Sequence, residues 1–329
     1  MRRHGSLFNT ITALANLWHA WGAFRRGKRS RPSVADFELN VDHQVVRLHR
    51  ALTEGRYVPG PYRLVMIREP KRRLVAAAPV RDRIVHHAVY QVLSPLLDPG
   101  LIHTTWACLP GRGSHRALLA FMGAMRRYPW LLTLDVRHYF LSIDREILMA
   151  IMARKIKDRR LLGLLQILAD SGAGIYRQPE VAEFLRLQDG FPPTGCGLPI
   201  GNLTSQWWGN QYLSGLDHFI KRELKIPHYQ RYMDDMALFA TSRGQLEGAR
   251  QAVTEWLADH RRLRLKHPHA MPVPTDHSVI HLGRLVSRAG IRPTRQQLGR
   301  MQVRIGELLR TGDEETIQRS IASYGGVFM

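Results

Sequence analysis

Residues 229–240 read YQRYMDDMALFA, and two adjacent carboxylates, Asp234 and Asp235, interrupt this otherwise apolar stretch. The apolar arms on either side are typical of strands, so the stretch predicts a hairpin with the acids at its turn. An ionised carboxylate that leaves water is destabilising unless a positive group compensates it, and two side by side are worse. The pair therefore either caps an exposed turn or holds a cation.

Composition and charge narrow the class of protein. A chain of 329 residues with 44% hydrophobic content can bury a substantial core, in about two domains or in one enzyme core with appendages. Lys and Arg total 48 against 27 Asp and Glu, a formal net charge of +21 that favours nucleic acid as the partner. A ribosome-like or membrane-surface protein is the alternative.

The cysteine count and the hydropathy pattern bear on the compartment. Cys108 and Cys196 form no C-x-x-C pair and could make at most one disulfide, which favours a reducing compartment. No apolar run approaches the ~18 residues that a membrane span needs. We therefore expect a cytoplasmic protein with no membrane partner.

Hydrophobic periodicity divides the chain into mixed elements. It predicts helices over 7–21, 41–52, 81–97, 145–170, 204–224, 244–259 and 294–310, and strands over 130–136 and 278–286. Residues 62–79 read as two basic strands joined by a turn at Glu69-Pro70-Lys71. No acid precedes Asp36, so the basic N-terminal segment is either a nucleic-acid-facing arm or a solvated tail.

A third carboxylate, Asp135, also ends an apolar strand. Each acid taken alone would most simply lie in an exposed turn. Three acids at strand ends in so basic a protein instead indicate divalent cations, since Mg²⁺ prefers oxygen ligands. Two such ions about 4 Å apart can stabilise both oxygens of an in-line phosphoryl displacement.

Several blocks resemble those of reverse transcriptases in their order along the chain: LDVRHYFLSID (134–144), GLPIGNLTSQWWGNQYL (197–213) and RYMDD (231–235). REPKRRLVAA, RDRIVHHAV and CLPGRGSHRA resemble the finger blocks of the bacterial branch, and HLGRLV resembles the primer-gripping strand. The resemblance covers roughly residues 20–325 and implies an α+β right-hand polymerase fold, with fingers, a palm of antiparallel sheet plus helices, and a short helical thumb. The implied divisions are a basic helical extension (1–55), fingers and palm (56–285) and thumb (286–329).

The resemblance also implies the roles of individual residues. Asp135, Asp234 and Asp235 would be catalytic and would ligate two Mg²⁺ ions, or Mn²⁺ in their place, with help from the Val136 carbonyl. The nucleotide-binding residues would be Lys71, Arg73, Phe140, Ile200, Gly201 and Gln206, with Phe140 as a steric gate against the ribose 2′-OH or, alternatively, a core residue. The primer- and template-binding residues would be Tyr232, Met233, Ser205, Gly283 and Arg112.

The block around Ile200 points to a subfamily. Group II intron and retroviral-type enzymes usually begin this block with Gln-Gly and end it with Ser-Pro, whereas this chain has Ile200-Gly201 and Ser205-Gln206. That pattern resembles diversity-generating retroelement reverse transcriptases, which copy a template RNA with errors at adenines. The implied partners are template RNA, a DNA or RNA primer, dNTPs and a small basic accessory protein.

Other functions stay open at this point. An antiphage-defence enzyme, a group II intron-type enzyme and a catalytically silent RNA-binding scaffold are the alternatives. The chain also departs from the family pattern, with Ala270 where a lysine is usual and His281 where a phenylalanine is usual. The Ala270 departure leaves the proton donor to pyrophosphate unassigned.

Overall fold

The computed structural model describes residues 3–69, 71–311 and 314–328 as a mixture of helices and three antiparallel sheets. The helices are α1 (Phe8–Thr12), α2 (Leu14–Arg25), α3 (Pro32–Leu39), α4 (Val41–Thr53), α5 (Val80–Leu97), α6 (Ser114–Arg127), α7 (Tyr139–Ser142), α8 (Arg145–Lys155), α9 (Arg159–Asp170), α10 (Pro179–Leu185), α11 (Leu203–Arg222), α12 (Arg243–Arg261), α13 (Arg295–Thr311) and α14 (Glu314–Phe328). The strands are β1 (Arg63–Ile67), β2 (Arg73–Ala77), β3 (Trp130–Leu134), β4 (His228–Tyr232), β5 (Asp235–Ala240), β6 (Val273–Pro274), β7 (Val279–His281), β8 (Arg284–Val286) and β9 (Ile291–Pro293).

The central sheet has the strand order β4-β5-β3-β6. Its register pairs Leu134 of β3 with Met236 of β5, and Tyr232 with Asp235 across the β4–β5 turn. The end of β3 and that turn therefore lie at the same edge of the sheet. This pairing carries Asp135 to the acidic pair, although about a hundred residues separate them in the chain.

Strand β5 is apolar and buried from Met236 to Ala240 because both faces of the sheet are covered. Ala237 and Phe239 join Phe121 of α6 in one cluster, whereas Leu238 and Ala240 face the larger core that includes Leu257 of α12. Successive strand residues point to opposite faces, so a strand buried on both sides loses the polar alternation of a half-exposed one.

The N-terminal helices belong to the main core. Helix α2 packs against α4 and α5, and Leu17, Trp21 and Phe24 share a hydrophobic cluster with Tyr139 and Trp208. The segment is therefore not a solvated tail. The division between 1–55 and 56–285, like that at 286, stays a prediction.

Two predicted elements divide differently in the structure. The helix expected over 145–170 is two helices, because the Asp158 carboxylate accepts hydrogen bonds from Leu161 N (3.2 Å) and Phe8 N (2.8 Å) and so begins α9. The strand expected over 278–286 is the hairpin β7–β8, which turns where Leu282 and Gly283 have φ of 47° and 76°. Strand β9 extends this hairpin to a three-stranded sheet.

The structure also bears on a membrane association. Among the described residues, no helix combines the length and the apolar character that crossing a bilayer requires.

Candidate active site

The acidic pair lies at the turn between β4 and β5. Met233 takes a left-handed conformation there (φ 59°), which makes the turn tight and leaves Asp234 as its last residue before β5 begins at Asp235. Asp135, which directly follows β3, interacts electrostatically with both acids. The hairpin with acids at its turn, predicted from the sequence, is therefore present.

The three carboxylates carry more negative charge than their surroundings offset. Burial, with Asp235 and Asp135 as further causes, raises the pKa of Asp234 well above its ordinary value. Burial and Asp135 raise the pKa of Asp235 to about 6, against which Lys71 and Lys266 act in the lowering direction. A bound cation would remove this repulsion, so the site fits a positively charged ligand.

The donor set is one that suits Mg²⁺. Arg137 N donates to Arg264 O (2.9 Å) and Lys266 N donates to Asp135 O (2.8 Å), and these bonds pair the chain at Val136 with the chain at Leu265. Neither bond uses the Val136 carbonyl, which was predicted to help bind the metal. Among the described residues, no group of three or more His, Cys, Asp or Glu side chains is arranged so that it could hold a metal ion by itself. A Mg²⁺ ion here would therefore take further oxygens from backbone, water and substrate phosphate, as this ion commonly does.

A fully buried ion pair, Arg231 with Asp217, holds the acidic turn in place. Arg231 donates through Nη2 to Asp217 Oδ2 (2.6 Å) and through Nε to Asp217 Oδ1 (2.7 Å). Its Nη1 donates to Met233 O (2.7 Å) and to Asn210 Oδ1 (3.2 Å), and the Tyr229 hydroxyl donates to Asp217 Oδ1 (2.8 Å). Both charged side chains are 0% exposed. Because Asp217 and Asn210 lie on α11, these bonds attach the acidic turn to that helix in a part of the protein closed to solvent.

An inner cavity of about 380 Å³ borders Asp234. Arg73, Phe140 and Ile200, three of the predicted nucleotide-binding residues, line it. Phe140 is half-buried against the core, with its ring also at the cavity wall. This position suits both the predicted gate and the alternative core role, and the gate stays a prediction.

An open cleft of about 960 Å³ lies on the other side of the acidic pair. Asp234 and Asp235 line it, and the remaining predicted site residues in its lining are Lys71, Arg73, Tyr232, Met233 and Gly283. The β7–β8 turn and the basic hairpin β1–β2 thus both border the cleft that the acidic pair lines. Its size and basic wall are suited to a nucleic-acid strand.

Four predicted site residues lie elsewhere. Gln206 lines a separate small cavity, and Ser205 is 1% exposed, which leaves no surface for a strand to touch. A Cβ on Gly201 would lie 2.8 Å from Ala76 O, so this glycine lies closely against strand β2, and its contact with a nucleotide stays a prediction. Arg112 donates to the carbonyls of Ile102 and Thr105 and braces its own loop.

Lys266 was not anticipated by the sequence reasoning. Its Nζ lies 3.3 Å from Asp135 Oδ2. Ala270, where the family pattern usually has a lysine, instead packs against the core. The alternating run Arg262-Leu263-Arg264-Leu265-Lys266 is typical of a strand, and this pattern could have indicated that Lys266 lies near the sheet. Arg231 and Asp217 were also missed, since nothing in their spacing predicts that they pair.

Comparison with known proteins defines the family. The family model described as reverse transcriptase (RNA-dependent DNA polymerase) matches residues 67–267. The group II intron-encoded protein LtrA of Lactococcus lactis subsp. cremoris is 23% identical over 237 residues, which are 68% of this chain and 38% of LtrA. Protein YkfC of Escherichia coli strain K12 is 26% identical over 260 residues, covering 69% of this chain and 66% of YkfC. The mitochondrial nuclear intron maturase 4 of Arabidopsis thaliana is 26% identical over 154 residues, 47% of this chain and 18% of that protein.

The chain belongs to the reverse transcriptase family, whose model matches well over half of it. The α+β right-hand polymerase fold expected from the sequence is confirmed by the family match and by the mixed helices and antiparallel sheet. The chain spans less than half the length of LtrA.

Proposed function

We propose that the protein is an RNA-directed DNA polymerase that extends a DNA or RNA primer with dNTPs opposite a template RNA. The observation that supports this function is that Asp234 lines both the inner cavity and the open cleft, Asp235 lines the cleft, and Asp135 interacts with both acids. A nucleotide in the cavity and a primer end in the cleft would then meet over the carboxylates.

The acidic and the basic residues of the site have different roles in phosphoryl transfer. Asp135, Asp234 and Asp235 would hold two Mg²⁺ ions, or Mn²⁺ in their place, whose positive charge would activate the primer hydroxyl and stabilise the leaving pyrophosphate. Lys71 and Arg73, which line the open cleft with the acidic pair, bind the triphosphate, to which a guanidinium can make two parallel hydrogen bonds.

Residues of the acidic turn support the primer end, and a residue in the wall of the inner cavity selects the sugar. The Tyr232-Met233 turn lies beneath the primer end, and Arg231 keeps that turn in place by its bond to Met233 O. Phe140 narrows the inner cavity where a ribose 2′-OH would project and so favours deoxynucleotides.

Primer extension on an RNA template tests the proposal. Asp234→Asn should lower the rate of dNTP incorporation by more than about 10³-fold, because removing one carboxylate weakens metal binding and alignment together. Asp259→Asn, at an exposed position of α12, removes the same charge and should leave the rate unchanged. Incorporation by Asp234→Asn at the wild-type rate would refute the proposal and favour a silent RNA-binding scaffold.

The finer proposal is an error-prone enzyme of a diversity-generating retroelement, acting with a small basic accessory protein. Ile200 lies in the wall of the inner cavity with Phe140 and Asp234. A side chain without hydrogen-bonding groups at this position removes bonds that would favour correct geometry. Each 1.4 kcal/mol of lost discrimination raises the error rate about tenfold.

The error spectrum of Ile200→Gln tests the finer proposal. We expect misincorporation opposite template adenine to fall about tenfold, since the amide restores hydrogen bonding beside the nucleotide. An unchanged spectrum would contradict the role of Ile200. Low and even errors in the wild type would instead favour a group II intron-type enzyme, the alternative that the similarity to the group II intron-encoded protein LtrA and to nuclear intron maturase 4 supports.

Location in the cytoplasm is also proposed. Cys108 and Cys196 are both free thiols, which suits a reducing compartment.

A further inference from the structure

Residues 171–187, which follow α9, supply one wall of the inner cavity. Tyr176, Leu185 and Leu187 of this stretch line the cavity together with Phe140 and Ile200. The proposed function gives none of these first three residues a role. Tyr176 is the buried member of the three, with 2% of its surface exposed, and its hydroxyl contacts the segment 198–200 that carries Ile200.

The Tyr176 hydroxyl makes two hydrogen bonds to that segment. It donates to Leu198 O (2.9 Å) and accepts from Ile200 N (3.1 Å), so a single group bridges the two sides of Pro199. Burial raises the pKa of Tyr176 to about 12, although the Ile200 amide acts in the lowering direction. The hydroxyl therefore keeps its proton at neutral pH and can donate and accept at the same time.

Backbone bonds connect the same segment to the rest of the cavity. Leu198 N donates to Phe140 O (2.8 Å), and Ala76 N of β2 donates to Ile200 O (2.7 Å). The segment thus joins the residue predicted as a steric gate to the strand that carries Arg73. All four backbone polar groups of Leu198 and Ile200 have partners, and two of those four partners are the one hydroxyl of Tyr176.

Close packing fixes the tyrosine against this segment. A Cβ on Gly197, which has φ of 101°, would lie 3.3 Å from Tyr176 Cδ2, and a Cβ on Gly172 would lie 2.2 Å from Pro199 Cγ. The two glycines therefore let residues 171–187 approach residues 197–199 more closely than side chains would allow. Because the ring is held in this way, Tyr176 cannot follow a displaced Ile200, and its two hydrogen bonds set where Ile200 lies in the cavity wall.

We propose that Tyr176 is a positioning residue for nucleotide selection, which holds Ile200 in the wall of the inner cavity through the two hydrogen bonds of its hydroxyl. This inference rests on the proposed polymerase function. A wall fixed in place admits a correctly paired nucleotide and crowds a mispaired one, whose outline differs, whereas a wall that can recede accepts both. Tyr176 acts through Ile200, so the effect requires no contact between its hydroxyl and the nucleotide.

Tyr176→Phe tests the inference, because it removes the hydroxyl and keeps the ring. Single-nucleotide incorporation on a primed RNA template gives kcat and KM for the correct dNTP and for mismatched dNTPs. We expect the KM for the correct dNTP to rise about tenfold with kcat within about twofold, since wall contacts serve the ground state and the transition state alike. The ratio of kcat/KM for the correct over the mismatched dNTP should fall about tenfold.

Tyr62→Phe is the matched control. Tyr62 packs against the same hydrophobic cluster as Tyr176, and its hydroxyl lies 2.7 Å from Ser171 Oγ and accepts from Asn202 Nδ2 (2.6 Å) rather than from Ile200. The control should lower the melting temperature as Tyr176→Phe does and yet keep the KM and the selectivity of the wild type. An equal loss of selectivity in Tyr62→Phe would show that loosening of the cluster is the cause and would overturn the inference.

An Ile200→Ala background separates action through Ile200 from a direct effect of the hydroxyl. If Tyr176 acts by holding the Ile200 side chain, Tyr176→Phe should change the selectivity of Ile200→Ala by less than about twofold. A tenfold loss in this background as well would overturn the inference. A wild type that incorporates no dNTP would overturn the proposed function and this inference together, whereas incorporation with unchanged selectivity in Tyr176→Phe would overturn the inference alone.

Discussion

At the scale of single residues, Arg231 links the acidic turn to the rest of the protein. Its guanidinium bonds Asp217 twice and the Met233 carbonyl once, all in a fully buried setting. Thr105 Oγ1 also donates to Asp217 Oδ2 (3.3 Å), the oxygen that accepts from Arg231 Nη2. Because each partner satisfies another, the network is stable where either charge alone would not be.

Removal of one partner should therefore be severe. We expect Arg231→Met to lower the free energy of unfolding by about 3–5 kcal/mol, because it leaves Asp217 buried without its cation. Urea denaturation followed by circular dichroism measures this change.

The double variant Arg231→Met/Asp217→Leu is the control. Because it removes both charges, it should be more stable than Arg231→Met and yet still incorporate dNTPs poorly, since Met233 O loses its donor. A single variant as stable as wild type would contradict the role given to this pair.

At the scale of elements, the contact between β2 and the 200–201 segment joins the fingers hairpin to the inner cavity. Ala76 N donates to Ile200 O (2.7 Å). Gly201 has φ of 126° and leaves no room for a Cβ beside Ala76 O. The glycine thus sets how closely the hairpin carrying Arg73 approaches the cavity.

Two glycine variants separate crowding from backbone strain. Gly201→Ala combines an unfavourable φ with the contact to Ala76 O, whereas Gly113→Ala has a similar φ (133°) and no atom within 4 Å of its Cβ. We expect Gly201→Ala to be about 1–3 kcal/mol less stable than Gly113→Ala in urea denaturation. It should also raise the KM for dNTPs, because Arg73 moves with its strand. Equal effects of the two variants would show that strain alone matters.

At the scale of the whole molecule, buried neutral histidines make stability depend on pH. His86 of α5 is 2% exposed, and its Nδ1 lies 2.7 Å from Thr204 Oγ1 of α11. Burial, with His87 and Arg83 as further causes, lowers the pKa of His86 to about 3. Burial likewise lowers the pKa of His281, which stacks on Phe121, to about 4.

The direction of the pH effect follows from these pKa values. Below the unfolded pKa of about 6.5, the unfolded chain takes up a proton at His86 that the folded protein excludes, so stability falls with pH from about 6.5 towards 3. At pH 5 the loss from this residue is about 2 kcal/mol. We expect His86→Asn to lose about 2 kcal/mol less than wild type between pH 7 and pH 5 in urea denaturation. Parallel pH profiles of the two proteins would contradict this assignment.

The sequence by itself determined the features that depend on local pattern. Alternation and strand length predicted β3 and the β4–β5 hairpin, and the cost of isolated acids in apolar strands predicted that Asp135 and the acidic pair share a purpose. The same reasoning found most helices, since an amphipathic stripe is a property of neighbouring residues. It did not separate α8 from α9, because the Asp158 cap also depends on Phe8, far away in the chain.

Only the tertiary structure decided which side chains meet. Lys266 lies beside Asp135, Arg231 pairs with Asp217, and Ser205 is buried. Sequence spacing specifies the face of a helix or strand on which a residue lies, but not the element packed against that face. Charge, burial and access to a ligand depend on those non-local neighbours, so the support of the acidic site is a property of the packed fold.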